Sequence, residues 1–242
     1  MNIYGLLGKD IGYSFSRNYF SDRFQKEKLD CKYQNFDLQK IEELKTVLQN
    51  PNIKGINVTI PYKQEVISFL DNLDPIAKEI GAVNVIKFNP DGKLTGYNSD
   101  YYGFIESLKP LLNDTIKKAL ILGTGGASKA ISYALDTLNI THTFVSRNPD
   151  FNELSYNDLD EDIIRDFKLI INCTPLGTHP NIDNHPDIPY EHVGNTHVLY
   201  DLIYNPEETV FLKKGKINGA KTSNGLRMLV LQAEKSWEIW NT

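Results

Sequence analysis

Asn57, Thr59 and Lys63 fall in the run Gly55-Ile-Asn-Val-Thr-Ile-Pro-Tyr-Lys63. They gather an amide, a hydroxyl and an ammonium, donors and acceptors suited to a small polyhydroxylated ligand. A lysine at a strand end is more often simply solvated, so the odds rest on what stands elsewhere in the chain. Ser14 and Ser16 put two hydroxyls just before a helical stretch. With the free N–H groups of a helix start they could face one anion, although a serine there also serves as an ordinary cap. Asn84 and Asp100 sit on the two arms flanking the turn Asn89-Pro-Asp-Gly92. In isolation each reads as a satisfied amide or a helix cap.

A different chemistry begins at Lys118-Ala-Leu-Ile-Leu-Gly-Thr-Gly-Gly-Ala-Ser-Lys-Ala130. An apolar strand runs into a glycine-rich turn and then a helix, the context a dinucleotide fingerprint requires. Gly123 permits the tight turn, Gly125 lets the backbone approach a pyrophosphate, and Gly126 to Ser128 open the helix whose N–H groups face it. Ser128 stands where the third glycine of the pattern would be. The next strand ends in Ser146-Arg147 and not in Asp or Glu. An arginine there clamps a ribose 2′-phosphate, which favours NADP over NAD.

These residues need elements to position them. Strands are expected at 3–7, 31–37, 55–60, 118–122, 142–147, 167–175 and 197–204. In the third, Ile56, Val58 and Ile60 are read as buried and Pro61 as its end. A hairpin spans 81–100. Helices are expected at 18–28, 38–49, 64–70, 75–80, 102–112 and 207–214, followed by an amphipathic C-terminal helix. Gly8 to Tyr13 reads as a glycine-bearing loop. The fold class is α/β.

The 242 residues allow one large or two modest domains, and 40% hydrophobic with 24% charged residues fits a globular chain. A formal net charge of −5 leaves no basic surplus for nucleic acid. No apolar run approaches the ~20 residues of a membrane span, and the N-terminus lacks a secretory signal pattern. Cys31 and Cys173, distant and without ligand spacing, suit a reducing cytoplasm. His179, His185, His192 and His197 are spaced six, seven and five apart with prolines interrupting the run, which argues against a metal.

The motifs, taken in order, resemble the shikimate dehydrogenase family over nearly the whole chain. The matching stretches are Tyr4-Gly-Leu-Leu-Gly8 with Ser14-x-Ser16, Asn57-Val-Thr-Ile-Pro-Tyr-Lys63, Gly81-Ala-Val-Asn84, Gly96-Tyr-Asn-Ser-Asp100 and Gly123-Thr-Gly-Gly-Ala127. They continue with Asn172-Cys-Thr-Pro-Leu-Gly177, Tyr200-Asp-Leu-Ile-Tyr-Asn-Pro206 and Gly225-x-x-Met-Leu-x-x-Gln232. The resemblance implies an N-terminal α/β substrate-binding domain over 1–100, completed by the C-terminal helix at 225–242. A Rossmann-type doubly wound NADP-binding domain would cover 101–224. It implies reversible NADPH-dependent reduction of 3-dehydroshikimate to shikimate, in the biosynthesis of chorismate and the aromatic amino acids.

Lys63 and Asp100 would be catalytic, with Ser14, Ser16, Asn57, Thr59, Asn84, Tyr204 and Gln232 on the substrate. Gly123, Thr124, Gly125, Gly126, Ala127, Ser146, Arg147, Thr174, Leu202 and Gly225 would hold the cofactor. Monomers and homodimers both fit the family. Two departures stand out: Gly225-Leu-Arg-Met-Leu229 carries Arg227 where the family has glycine, and Ser146-Arg147-Asn148 replaces the usual Asn-Arg-Thr. A relative acting on quinate, or a non-catalytic NADP-binding sensor on the same scaffold, are the rival readings. Intact Lys63 and Asp100 count against the sensor.

Overall fold

The computed structural model describes residues 1–12 and 14–242. Tyr13, at the end of the expected glycine loop, lies outside the described residues. The chain divides into two compact units, Met1–Ser99 with Ala233–Thr242, and Asp100–Gln232.

The first unit runs β1 (Asn2–Gly8), α1 (Phe15–Lys26), β2 (Cys31–Asp37), α2 (Leu44–Leu48), β3 (Ile53–Val58), β4 (Asn72–Leu73), α3 (Pro75–Ile80), β5 (Val85–Phe88) and β6 (Leu94–Tyr97). The strands form one sheet in the order β2-β1-β3-β5-β6-β4. The β1 strand is parallel to β2 and β3, while β5 runs antiparallel to both β3 and β6. On one face, Leu7, Ile53, Ile56, Val58, Val83 and Ile86 are buried with Leu44 and Val66. On the other, Phe20 and Phe24, one helical turn apart on α1, join Tyr4, Tyr33, Ala233, Ile239 and Trp240. Trp240 donates its indole N–H to the Ile86 carbonyl at 3.0 Å. A Cβ at Gly55 would lie 2.3 Å from the same indole nitrogen, so glycine is what lets this ring lie flat on β3.

Two local expectations are corrected. The third strand ends at Val58, and Ile60 is 69% exposed, not buried, because the backbone has already left the ladder before a cis Ile60–Pro61 bond. The long helix expected at 38–49 is a 3-10 turn at Ile41–Glu43 running into the five-residue α2. On these two turns only Ile41 and Leu44 are buried, with Val47 and Leu48 partly so, too narrow a stripe to stabilise a longer helix.

The second unit runs α4 (Asp100–Leu108), β7 (Lys118–Leu122), α5 (Gly126–Thr137), β8 (Thr141–Ser146), β9 (Leu154–Ser155), α6 (Glu161–Asp166), β10 (Leu169–Asn172), β11 (Val198–Asp201), α7 (Val210–Ile217), β12 (Lys221–Ser223) and α8 (Leu226–Asn241), whose last turns belong to the first unit. Its sheet has the order β9-β8-β7-β10-β11-β12, parallel throughout. Renumbered within the unit this is 3-2-1-4-5-6, the doubly wound order of dinucleotide-binding domains. Buried apolar runs such as Leu169-Ile-Ile171 fit strands covered on both faces. No helix among the described residues is long and apolar enough to cross a membrane.

Candidate active site

In the first unit the chain leaves β3 through a tight turn. Thr59 donates its N–H to Leu7 O at 2.8 Å, and Tyr62 N–H returns to Thr59 O at 3.0 Å. The Tyr62 hydroxyl anchors on Leu38 O at 2.7 Å, and Lys63 O accepts Val83 N–H at 2.7 Å. Lys63 is thus half-buried on a backbone pinned from both sides. Ser14 is buried and caps α1, its Oγ accepting the Arg17 N–H at 3.3 Å. Ser16 stands in the first turn of that helix and hydrogen-bonds the Tyr33 hydroxyl. The glycine-bearing loop before it is tied down by Asp37, whose carboxylate accepts the N–H groups of Asp10 and Ile11 at 2.8 and 3.1 Å.

Asn57 and Asn84 meet in a buried polar cluster. Tyr33 Oη donates to Asn57 Oδ1 at 2.9 Å, and Asn57 Nδ2 donates to Ser236 Oγ at 2.8 Å and to Asn84 O at 3.3 Å. Asn84 Nδ2 donates to Ser99 Oγ at 3.0 Å, and the Ser99 N–H reaches Asn84 Oδ1 at 2.6 Å. Both amide hydrogens of Asn57 are therefore committed inside the protein. These bonds tie Asn57, expected on the substrate, into the framework that also holds Asn84.

In the second unit, Gly123 has φ +97°, a conformation that favours glycine, and its N–H bonds Val145 O at 2.8 Å. Gly125 caps α5 in an extended conformation, and a Cβ there would meet nothing within 4 Å. The backbone of the turn is therefore open to an approaching anion at the head of a twelve-residue helix. Thr124 is exposed, and Gly126 and Ala127 form the first helical residues. Ser128 is buried and turns its hydroxyl onto Gly125 O at 2.6 Å, so it braces the turn in place of a third glycine. The turn follows the central strand β7 beside β10, where the strand order reverses and ligands of such sheets bind. Ser146 ends β8, its hydroxyl locked to the backbone of Asn148 at 3.2 Å, and Arg147 is exposed beside it. These features fit a dinucleotide with a ribose phosphate.

Thr174 turns its hydroxyl to Asn172 Oδ1 at 2.7 Å, and Leu202 N–H bonds Asn172 O at 3.0 Å. A Cβ at Gly225 would come within 2.1 Å of Leu202 O, so only glycine fits where α8 begins. Tyr204 and Gln232 are half-buried, Asp100 is buried at the start of α4, and Arg227 is exposed on α8. Among the described residues no group of three or more His, Cys, Asp or Glu gathers as a metal set. His197 is a structural pin. The Gly194 N–H donates to Nδ1 at 3.0 Å, so Nε2 carries the proton that bonds Ile164 O at 2.8 Å, and burial lowers the ring pKa.

Sequence reasoning missed Tyr33, Ser99 and Ser236 in the first unit, and Asn172, Asp201 and Thr209 in the second. Ser99, Asn172 and Asp201 stood inside quoted motifs. Ser236 had one visible signal: a hydroxyl on the buried stripe Ala233, Ile239, Trp240 of the last helix.

A parallel 3-2-1-4-5-6 sheet with an open glycine turn at its switch point, in one chain with an α/β unit that carries a half-buried lysine after its third strand, fits a nucleotide-dependent oxidoreductase. The comparisons narrow this. Residues 6–86 match the model of the shikimate dehydrogenase substrate binding domain. A shikimate dehydrogenase (NADP(+)) of Clostridium botulinum is 40% identical, covering 98% of this chain and 95% of that protein. The crystal structure of a chorismate mutase/shikimate 5-dehydrogenase fusion from Clostridium acetobutylicum superposes with a TM-score of 0.86 at 37% identity, covering 100% of this chain and 91% of the other. Shikimate 5-dehydrogenase from Thermus thermophilus, solved with NADP(H) and shikimate, gives a TM-score of 0.87 at 29% identity, covering 99% and 93%. The chain belongs to the shikimate dehydrogenase family.

Proposed function

We propose that this protein catalyses the reversible reduction of 3-dehydroshikimate to shikimate with NADPH. The observation that carries this reading is 40% identity to an NADP(+) shikimate dehydrogenase over 98% of the chain, with Lys63 and the glycine turn both in place. Gly123 to Ala127, with Thr174, Leu202 and Gly225, hold the cofactor, and Ser146 and Arg147 read its 2′-phosphate. When bound, the nicotinamide supplies the hydride. Every other demand falls on the chain. Lys63 stands as the proton donor to the oxygen that becomes an alkoxide as the ketone is reduced, and Asp100 as its carboxylate partner. Ser14 and Ser16 bind the substrate carboxylate with Thr59 and Tyr204 beside them, and Asn84 and Gln232 bind ring hydroxyls. Two unpaired cysteines, Cys31 and Cys173, support a reducing cytoplasmic setting.

Four parallel assays test it: shikimate and quinate, each with NADP+ and NAD+, monitored by reduced-nicotinamide absorbance. Shikimate with NADP+ should give the highest kcat/KM. Faster turnover of quinate would reassign the substrate, and folded protein inactive in all four would favour the sensor.

A further inference from the structure

A serine in the middle of an otherwise apolar helix stripe is costly. Its hydroxyl loses water, and its helix propensity is below that of alanine. Ser236 is nevertheless fully buried between Ala233 and Ile239 on α8. What surrounds it explains the choice of residue. Ser236 Oγ accepts Asn57 Nδ2 at 2.8 Å and lies 3.2 Å from Ser99 Oγ. Ser99 Oγ accepts Asn84 Nδ2 at 3.0 Å, and Asn57 Nδ2 also reaches Asn84 O at 3.3 Å. The four residues Asn57, Ser236, Ser99 and Asn84 therefore close a ring of hydrogen bonds.

The ring dictates which way both amides face. The Asn84 carbonyl can only accept, so the nitrogen end of Asn57 must point to it and the oxygen end to Tyr33 Oη. The Ser99 N–H can only donate, so it fixes Asn84 Oδ1 in the same way. At the far end, Ser16 bonds the same Tyr33 hydroxyl. One continuous chain of hydrogen bonds thus links Ser16, where the substrate carboxylate is assigned, with Asn84, where a ring hydroxyl is assigned. Low local dielectric makes each link depend on its neighbours.

The geometry points to Ser236 as a positioning residue for substrate: its hydroxyl holds Ser99 Oγ against the Asn84 amide nitrogen and, through Asn57, steadies the Asn84 backbone carbonyl. This rests on the assignment of Asn84 to substrate binding, so the experiment carries a separate control for that assignment.

Ser236→Ala, Asn84→Ala and the double variant are made in the full chain. KM for shikimate, KM for NADP+, kcat and Tm are measured for each. S236A should raise KM for shikimate by about 3- to 10-fold, the worth of a typical hydrogen bond, and leave KM for NADP+ unchanged. Because Ser236 acts through Asn84, the double variant should bind shikimate no worse than N84A alone. Ser236→Thr, which keeps the hydroxyl, should restore much of the loss. A change in Tm with an unchanged KM for shikimate would reduce Ser236 to a packing role and overturn the proposal, as would strictly additive effects in the double variant. An N84A protein with normal KM for shikimate would instead overturn the assignment of Asn84. Should S236A fail to accumulate, Ser236→Cys, whose sulfur is a weak acceptor, takes its place with the same expected direction and the same overturning result.

Discussion

Asp201 Oδ2 accepts the Thr209 hydroxyl at 2.6 Å, and this bond ties the end of β11 to the start of α7. The other carboxylate oxygen takes the Ile203 N–H at 3.0 Å and Asn172 Nδ2 at 3.1 Å. Asn172 in turn holds Thr174 by its hydroxyl and N–H, so the loops after β10 and β11 share one buried carboxylate. The Thr209 hydroxyl also accepts the Leu212 N–H as the cap of α7.

Burial pushes the Asp201 carboxyl up from 3.8 to about 6, against the pull of Thr209, Ile203 and Asn172. Between those two values the folded chain keeps a proton that the unfolded chain has released. Stability from this group is therefore fully present below 3.8, declines as pH rises through the interval, and is flat above about 6. Asp201→Asn removes that slope. Its destabilisation should be larger at about pH 5 than at about pH 7.5, by on the order of 1 kcal/mol, in urea unfolding. Equal costs at both pH values would show that Asp201 ionises as an ordinary carboxyl.

Lys63→Ala should lower kcat by about 100-fold or more with little change in KM for shikimate, since a proton donor acts chiefly in the transition state. The backbone at this position is held by Val83 and by the Thr59–Tyr62 turn, independently of the side chain. Tm is measured alongside, so that a loss of turnover is separated from a loss of folded protein. Steady-state kinetics with unaltered kcat would take Lys63 out of the chemistry.

Arg147→Ala should raise KM for NADP+ by about 10-fold or more while barely moving KM for NAD+, because only the former carries the 2′-phosphate. Arg147 is exposed just beyond β8, so folding should be indifferent to the change. Parallel KM measurements with the two cofactors decide it, and an equal rise for both would place the arginine elsewhere on the dinucleotide.

Much of the frame was legible because local rules and tertiary environment agree. The apolar run Ala119 to Leu122 before three small residues could only be a covered strand entering a tight turn, and it is. The positions that misled are those where context overrides local preference. Ile60 has strand chemistry but follows the last ladder residue, and 38–49 has helical spacing without enough buried partners to extend it. Asn57 was legible as a candidate site residue, but its hydrogen-bond partners were not. Its partners Tyr33 and Ser236 lie 24 and 179 residues away, a proximity that only the folded chain creates.

The first unit is discontinuous, since Ala233, Trp237, Ile239 and Trp240 complete the aromatic cluster begun by Tyr4, Phe20 and Phe24. On the ribosome the whole nucleotide half must be translated before those indoles emerge, an interval on the order of ten seconds at typical elongation speeds. The order of manufacture is thus not the order of assembly: the half made first is finished last.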